Sequence, residues 1–177
     1  MKKLNSLLLL ASLLFFVLHL SSCSDDDDDE STPSPTNFFF FEGETYDLGR
    51  GFIEDYGANG NGSFDFDIYL TSSSVQYNSS VETFSGTGNI VYLDLNTSSE
   101  EGLVNGTYTF SSTREAFSLV NGLFGINVDI SSGDGASIQV IGGTIDVTVD
   151  GSTATIDFDL TATGNESMTG NFTGALT

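Results

Sequence analysis

The chain has 177 residues, with 4 Lys and Arg against 25 Asp and Glu. Lys2, Lys3, His19 and Cys23 lie in or just after an apolar leader, so the remainder holds no Lys, His or Cys, and two arginines against 25 acids leave a formal charge of −23. This excludes Ser-His-Asp and Cys-His catalysis, thiolate or imidazole zinc sites, lysine Schiff bases and, for want of cations, nucleic-acid or other polyanion binding.

Residues 1–22 open with Lys2 and Lys3, run through an apolar stretch from Leu7 to Leu20 and end in Ser21-Ser22, the layout of a secretory signal peptide. As a helix the apolar stretch reaches about 21 Å, short of the roughly 30 Å hydrocarbon core, so it reads as a cleaved leader and not as a permanent span. Cys23 has no second cysteine to pair with. Leu20-Ser21-Ser22-Cys23 resembles a bacterial lipobox, which implies lipidation of Cys23 and attachment to a membrane through acyl chains. Two or three such chains hold a protein almost permanently, since each buried methylene contributes about 0.8 kcal/mol.

Ser24, Asp25, Asp26, Asp27, Asp28, Asp29 and Glu30, followed by STPSPT, offer nothing apolar to bury, so residues 23–36 read as the lipidated cysteine plus an acidic, Pro- and Ser-containing tether. Fully extended, the tether reaches about 45 Å, and repulsion among its acids favours extension. The segment from Cys23 to Glu30 resembles the export signal of Bacteroidota surface lipoproteins. That resemblance implies a lipid-anchored position in the cell outer membrane, facing the extracellular medium; the periplasmic leaflet is the alternative.

From Asn37 to Thr177 the chain alternates apolar and polar residues in short runs broken by Gly, Asn, Ser and Asp, which predicts one all-β domain over residues 37–177. Phe64, Phe66, Ile68 and Leu70 alternate with Asp65, Asp67 and Tyr69; Val91, Leu93 and Leu95 alternate with Tyr92 and Asp94. Phe124, Ile126, Val128 and Ile130 continue the pattern. Asp150-Gly151 predicts a type I′ hairpin that pairs Val149 with Ser152, Val147 with Ala154 and Ile145 with Ile156, with Ile145, Val147, Val149, Ile156 and Phe158 inward. Gly170 and Gly174, on one face with Met168, Phe172 and Leu176, predict bulges or close approach between sheets. About ten strands follow, near 38–41, 45–55, 63–71, 74–78, 88–96, 106–111, 123–131, 137–149, 152–163 and 167–176. Short links make them an antiparallel meander closing into a lipocalin-like barrel or a barrel-like sandwich. The stretches from Gly142 to Leu176 and from Phe41 to Gly57 resemble uncharacterised small β-rich lipoproteins of Bacteroidota, which implies a fold and an address but no catalytic residues.

Carboxylates are the only acid–base chemistry available, and Asp65/Asp67 and Asp157/Asp159 fall two apart on strands, about 7 Å along one face. On outward faces such acids read first as solvent contacts that discourage edge pairing. Asp55, Asn59, Asn61 and Asp65, with Ser63, place oxygens at alternating positions in a glycine-rich loop, a hairpin loop by default and calcium ligands in the alternative. Gly133-Asp134-Gly135 reads as a turn. Tyr56, Tyr69, Tyr77 and Tyr92 are candidate platforms for a glycan, and Phe66, Phe124, Phe158 and Phe172 candidate linings for an apolar ligand. The expectation is a membrane-anchored, non-catalytic binding or envelope-structural module without a required cofactor, whose partner is an extracellular glycan, a protein or a small apolar ligand. An apolar-ligand carrier, a carboxylate-dependent glycan hydrolase and a calcium-stabilised adhesin are the rival readings.

Overall fold

The computed structural model describes residues 36–81, 83–132 and 135–177. Contacts divide the chain into Met1–Ser34 and Pro35–Thr177, and the described strands all belong to the second unit. The leader, Cys23, the acidic run from Ser24 to Glu30 and the turn at Gly133-Asp134 lie outside the described residues.

The described residues form strands and no helix, as the period-two pattern requires. They are β1 (Phe38–Phe41), β2 (Glu44–Asp47), β3 (Arg50–Ala58), β4 (Phe64–Thr71), β5 (Gln76–Asn78), β6 (Thr83–Ser85), β7 (Thr87–Thr97), β8 (Gly106–Phe110), β9 (Ser118–Asp129), β10 (Ser137–Asp150), β11 (Thr153–Ala162) and β12 (Ser167–Gly174). The stretch expected as one strand over 45–55 is two, because the chain turns at Leu48-Gly49, where the Leu48 amide donates to the Asn37 carbonyl and the Gly49 amide to that of Thr71. Strand β6 has no counterpart among the expected runs; Thr83, Phe84 and Ser85 are too few to display a period.

Ten strands make one sheet in the order β2-β1-β12-β11-β10-β8-β9-β7-β4-β3, and β5-β6 form a separate hairpin. The expected meander holds for β1–β2, β3–β4, β10–β11 and β11–β12, but β4 pairs with β7 past the β5–β6 hairpin, β7 pairs with β9, β1 pairs with β12, and β8 departs from it altogether. Strands β9 and β10 pair directly only at Gly125–Leu123 against Ser137–Gln139 and then diverge. Into that wedge goes β8, antiparallel to β10 over Thr144–Val147 and parallel to β9 at Thr109–Ser118 and Phe110–Leu119.

The sheet curls without closing into a continuously bonded barrel, which corrects the closure expected from the meander. The reason is that β1 already occupies β12 at Met168–Asn171, leaving only the chain end for β3. A single parallel bridge, Gly51 to Leu176, is made there, with the Thr177 amide 3.2 Å from the Gly51 carbonyl.

Curling brings the apolar faces together. Ile68, Leu70, Val91, Leu93, Leu95, Leu119, Phe124, Ile145, Ile156 and Met168 have no exposed surface. Phe124 on β9 meets Phe39 and Phe41 of β1 at ring-centroid distances of 5.8 and 4.8 Å, both edge to face. These strands are remote in sheet order, so the contact is made across the interior.

The β10–β11 hairpin corrects the expected register. Asp150 pairs with Thr153, so Gly151-Ser152 is the loop, and Val149, Val147 and Ile145 face Ala154, Ile156 and Phe158. Positive φ at Gly151 but not at Ser152 is the type II′ pattern, with glycine first, in place of type I′. The slip is two residues, which leaves every side chain on its expected face. Gly170 is a close approach, but to the neighbouring strands of its own sheet and not between sheets as expected: a Cβ there meets the Phe158 ring of β11 and, at 2.5 Å, the Phe38 carbonyl of β1.

Candidate functional site

The outer face of β3, β4 and β7 carries two cross-strand rows. Register sets Glu54 opposite Asp67, Asp67 opposite Asp94 and Asp94 opposite Asn121. Two residues along, Phe52 faces Tyr69 and Tyr69 faces Tyr92. Carboxylates directly opposite one another repel and disfavour pairing, so this row needs compensation.

Compensation comes from three directions. The Tyr92 hydroxyl donates to Asp67 Oδ1 at 3.0 Å and the Tyr69 hydroxyl to Asp67 Oδ2 at 3.4 Å. The β5–β6 hairpin lays Phe84 against Phe52 and Tyr69, with centroids 5.1 and 5.0 Å apart, and Tyr69 and Tyr92 pack at 5.2 Å. At the other end, Arg114, from the link between β8 and β9, donates to both oxygens of Asp94 at 3.0 and 2.8 Å and to Asp65 Oδ2 at 2.5 Å. Carboxylate oxygens of Asp65, Asp67 and Asp94 all lie within 4.8 Å of one another.

The expectation that Asp65 and Asp67 are plain solvent contacts is thus corrected. They do point outward, but the hairpin and the link cover them, leaving Asp67 8 % and Asp94 3 % exposed. Burial, then the Asp65 charge, pushes Asp94 up to about 6 against the pull of Arg114; burial also raises Asp67, with Tyr92 opposing. Because both folded values lie above the unfolded one of 3.8, the folded state binds these protons more tightly. For Asp94 that contribution to stability is fully present below 3.8 and is lost as the pH rises through about 6, and Asp67 acts in the same direction. Thermal melts at pH 5 and 8 are expected to give the higher Tm at pH 5. Asp67→Asn keeps an acceptor for Tyr92 and removes one charge from the row, so it should raise Tm at pH 8 by about 2–4 °C, what ~1 kcal/mol of relieved repulsion gives at this size. A lower Tm than wild type at pH 8 contradicts this account of the row.

The four calcium candidates do not converge. Asp55 is exposed and caps the bulge by accepting from the Gly57 amide at 2.8 Å. The Asn59 amide donates to Asn96 Oδ1 and Ser63 Oγ, the Asn61 amide to the Arg114 carbonyl, and Asn61 Oδ1 accepts from Ser63. Only Asp65 joins the carboxylate cluster, and there the positive charge is supplied by Arg114. Asp157 and Asp159 are exposed, Asp157 accepting from Asn171.

Compared with known proteins, the chain matches no family model, no curated protein and no solved structure.

Tyr69, Tyr77 and Tyr92 are brought together with Phe52 and Phe84 in one aromatic cluster. Tyr56 stands at its edge, 62 % exposed, its hydroxyl donating to Glu54 Oε2 at 3.1 Å, the same oxygen that Tyr69 approaches at 3.5 Å. The four phenylalanines expected to line a cavity are at most 4 % exposed. Glu54, Asp94 and Arg114 were not singled out from the sequence. Arg114 carried a usable signal, as one of the two cations after the leader among so many acids, whereas Asp94 and Glu54 become neighbours of Asp67 only through the strand pairing.

Proposed function

We propose that the protein is an outer-membrane lipoprotein, anchored through Cys23 and displayed to the medium on its acidic tether, which works as a non-catalytic binding module. Its ligand is a neutral glycan taken at the edge of the outer face of β3–β4–β7, on Tyr56 and Glu54, with Tyr69 and the covered Asp67 behind them. The observation that carries the reading is Tyr56: an exposed ring fixed by a carboxylate, beside further phenols and acceptors. Rings supply an apolar stacking surface and carboxylates accept hydroxyl protons, while the negative body repels anionic ligands. The packing of Phe124 against Phe39 and Phe41 speaks against an apolar carrier.

A second reading, carboxylate-dependent glycan hydrolysis, draws on the directly opposed Glu54 and Asp67 and the raised Asp67. Protease treatment of intact cells, comparing wild type with Cys23→Ala and with residues 25–30 replaced by serine, tests the address. Digestion of wild type alone is expected, and protection of membrane-bound wild type refutes display. Binding of the full chain to immobilised neutral glycans tests the face: Tyr56→Ala should weaken it by about tenfold or more, the loss expected for one aromatic contact. Retention by glycans irrespective of Tyr56 refutes the face, and release of shortened glycans favours the hydrolase.

A further inference from the structure

The connection between β8 and β9, residues 111–117, is short for parallel neighbours, which ordinarily need a crossover of a dozen residues or more. It folds over the outer face of β4 and β7, and its last residue is strained: Phe117 has φ +66°, rare for a bulky side chain. Few bonds hold it. The Phe117 amide donates to the Asn96 carbonyl at 2.6 Å, the Asn61 side chain to the Arg114 carbonyl at 2.6 Å, and the Arg114 guanidinium grips Asp65 and Asp94.

We propose that the 111–117 link is a proton-controlled clasp, held over the β4–β7 face by Arg114 in neutral medium and released in mildly acidic medium. Every charged group facing Asp94 takes part. Strand β4 contributes Asp65 and Asp67, β3 contributes Glu54 by way of Asp67, the link contributes Arg114, and the β9 partner, Asn121, is uncharged. Tyr69 and Tyr92 keep their protons, being pushed up by burial and by Asp67.

Arg114 brings one positive charge to two carboxylates, so with both acids ionised the group keeps a net negative charge that a proton on Asp94 removes, at the expense of the bonds Arg114 makes to Asp94. With both acids ionised, Arg114 makes charge-assisted bonds, a forked pair to Asp94 among them, which offset the strain at Phe117. A proton on Asp94 relieves its repulsion with Asp65 and reduces the forked contact to an ion–dipole one, leaving Arg114 its bond to Asp65. Burial places that protonation near pH 6, within reach of an ordinary medium, and not near 3.8. Protonation thus strengthens the sheet while it loosens the link. The clasp rests on this geometry together with the raised Asp94; that it regulates ligand access rests on the outer face being the binding face.

Hydrogen exchange of the full chain, read by peptide mass spectrometry and corrected for intrinsic rates, separates the two. Between pH 7.5 and pH 5, protection of the peptide spanning 111–118 should fall about tenfold, while β10–β11 amides keep or gain protection. Arg114→Gln should give the low-protection behaviour at both pH values with β10–β11 unchanged. Asp94→Asn should remove the pH dependence. Equal or greater protection of the link at pH 5 in wild type overturns the clasp, whatever the glycan experiments return.

Discussion

Phe124→Ala is expected to cost about 3–5 kcal/mol and to lower Tm by roughly 10 °C or more. Phe124 has no exposed surface, and it is where the N-terminal hairpin meets the far wall of the curl: Phe39 and Phe41 reach it from β1, and Tyr46 of β2 stacks on Phe39 at 5.0 Å. Truncation leaves a cavity between strands that pair only through intervening ones, so the walls have little freedom to collapse into it. Ile141→Ala, at a side chain 43 % exposed, is the matched control, expected to stay close to wild type. Denaturant titration of both variants is decisive. A loss under about 1 kcal/mol for Phe124→Ala contradicts the packing of β1 on β9.

The second large effect is expected at Gly170. Strand β12 is paired on both sides, Gly170 facing Phe158 of β11 and Phe39 of β1, so neither neighbour gives way without breaking a ladder. A Cβ at this position runs into the Phe158 ring, which is itself 4 % exposed, and into the backbone oxygen of Phe38 at 2.5 Å. A ring can rotate, but a paired carbonyl cannot, so Gly170→Val should destabilise by about 3 kcal/mol, at the upper end of overpacking. Gly142→Ala makes the contrast: nothing lies closer than 3.6 Å to its Cβ, and the change should fall within about 0.5 kcal/mol. Comparable losses in both variants would mean that backbone freedom, and not the close approach, explains the glycine at 170.

Much of the fold is legible in the alternation itself. Phe66, Ile68 and Leu70, then Val91, Leu93 and Leu95, are buried as their spacing predicts. Alternation survives because it is local: each residue's face follows from its neighbours along one strand. The hairpin at Gly151 shows the limit of this. Its faces were legible and its register was not, since a slip of two residues satisfies the same pattern and the turn type decides between them.

The candidate site was legible only in fragments. Tyr69, Tyr92, Asp65 and Asp67 could be assigned to outward faces, and an outward acid ordinarily faces water. What turns them into a covered, repelling row is that β4 pairs with β7, skipping the β5–β6 hairpin, and that a link from a strand wedged between β9 and β10 brings Arg114 across them.

The sequence by itself determined the class of structure and the chemistry open to it. Period-two alternation specifies strands, and residues 24–177, with two arginines and neither histidine, cysteine nor lysine, offer no chemistry that needs an imidazole, a thiolate or a lysine amine. Tertiary structure alone decided which acids stand opposite one another, that the sheet curls without closing, and where the single exposed tyrosine of the cluster sits. The physical reason is range. Alternation and composition act between neighbours or over the whole chain at once, whereas pairing between Asp67 and Asp94, or between Arg114 and Asp65, is fixed by contacts among segments distant in sequence.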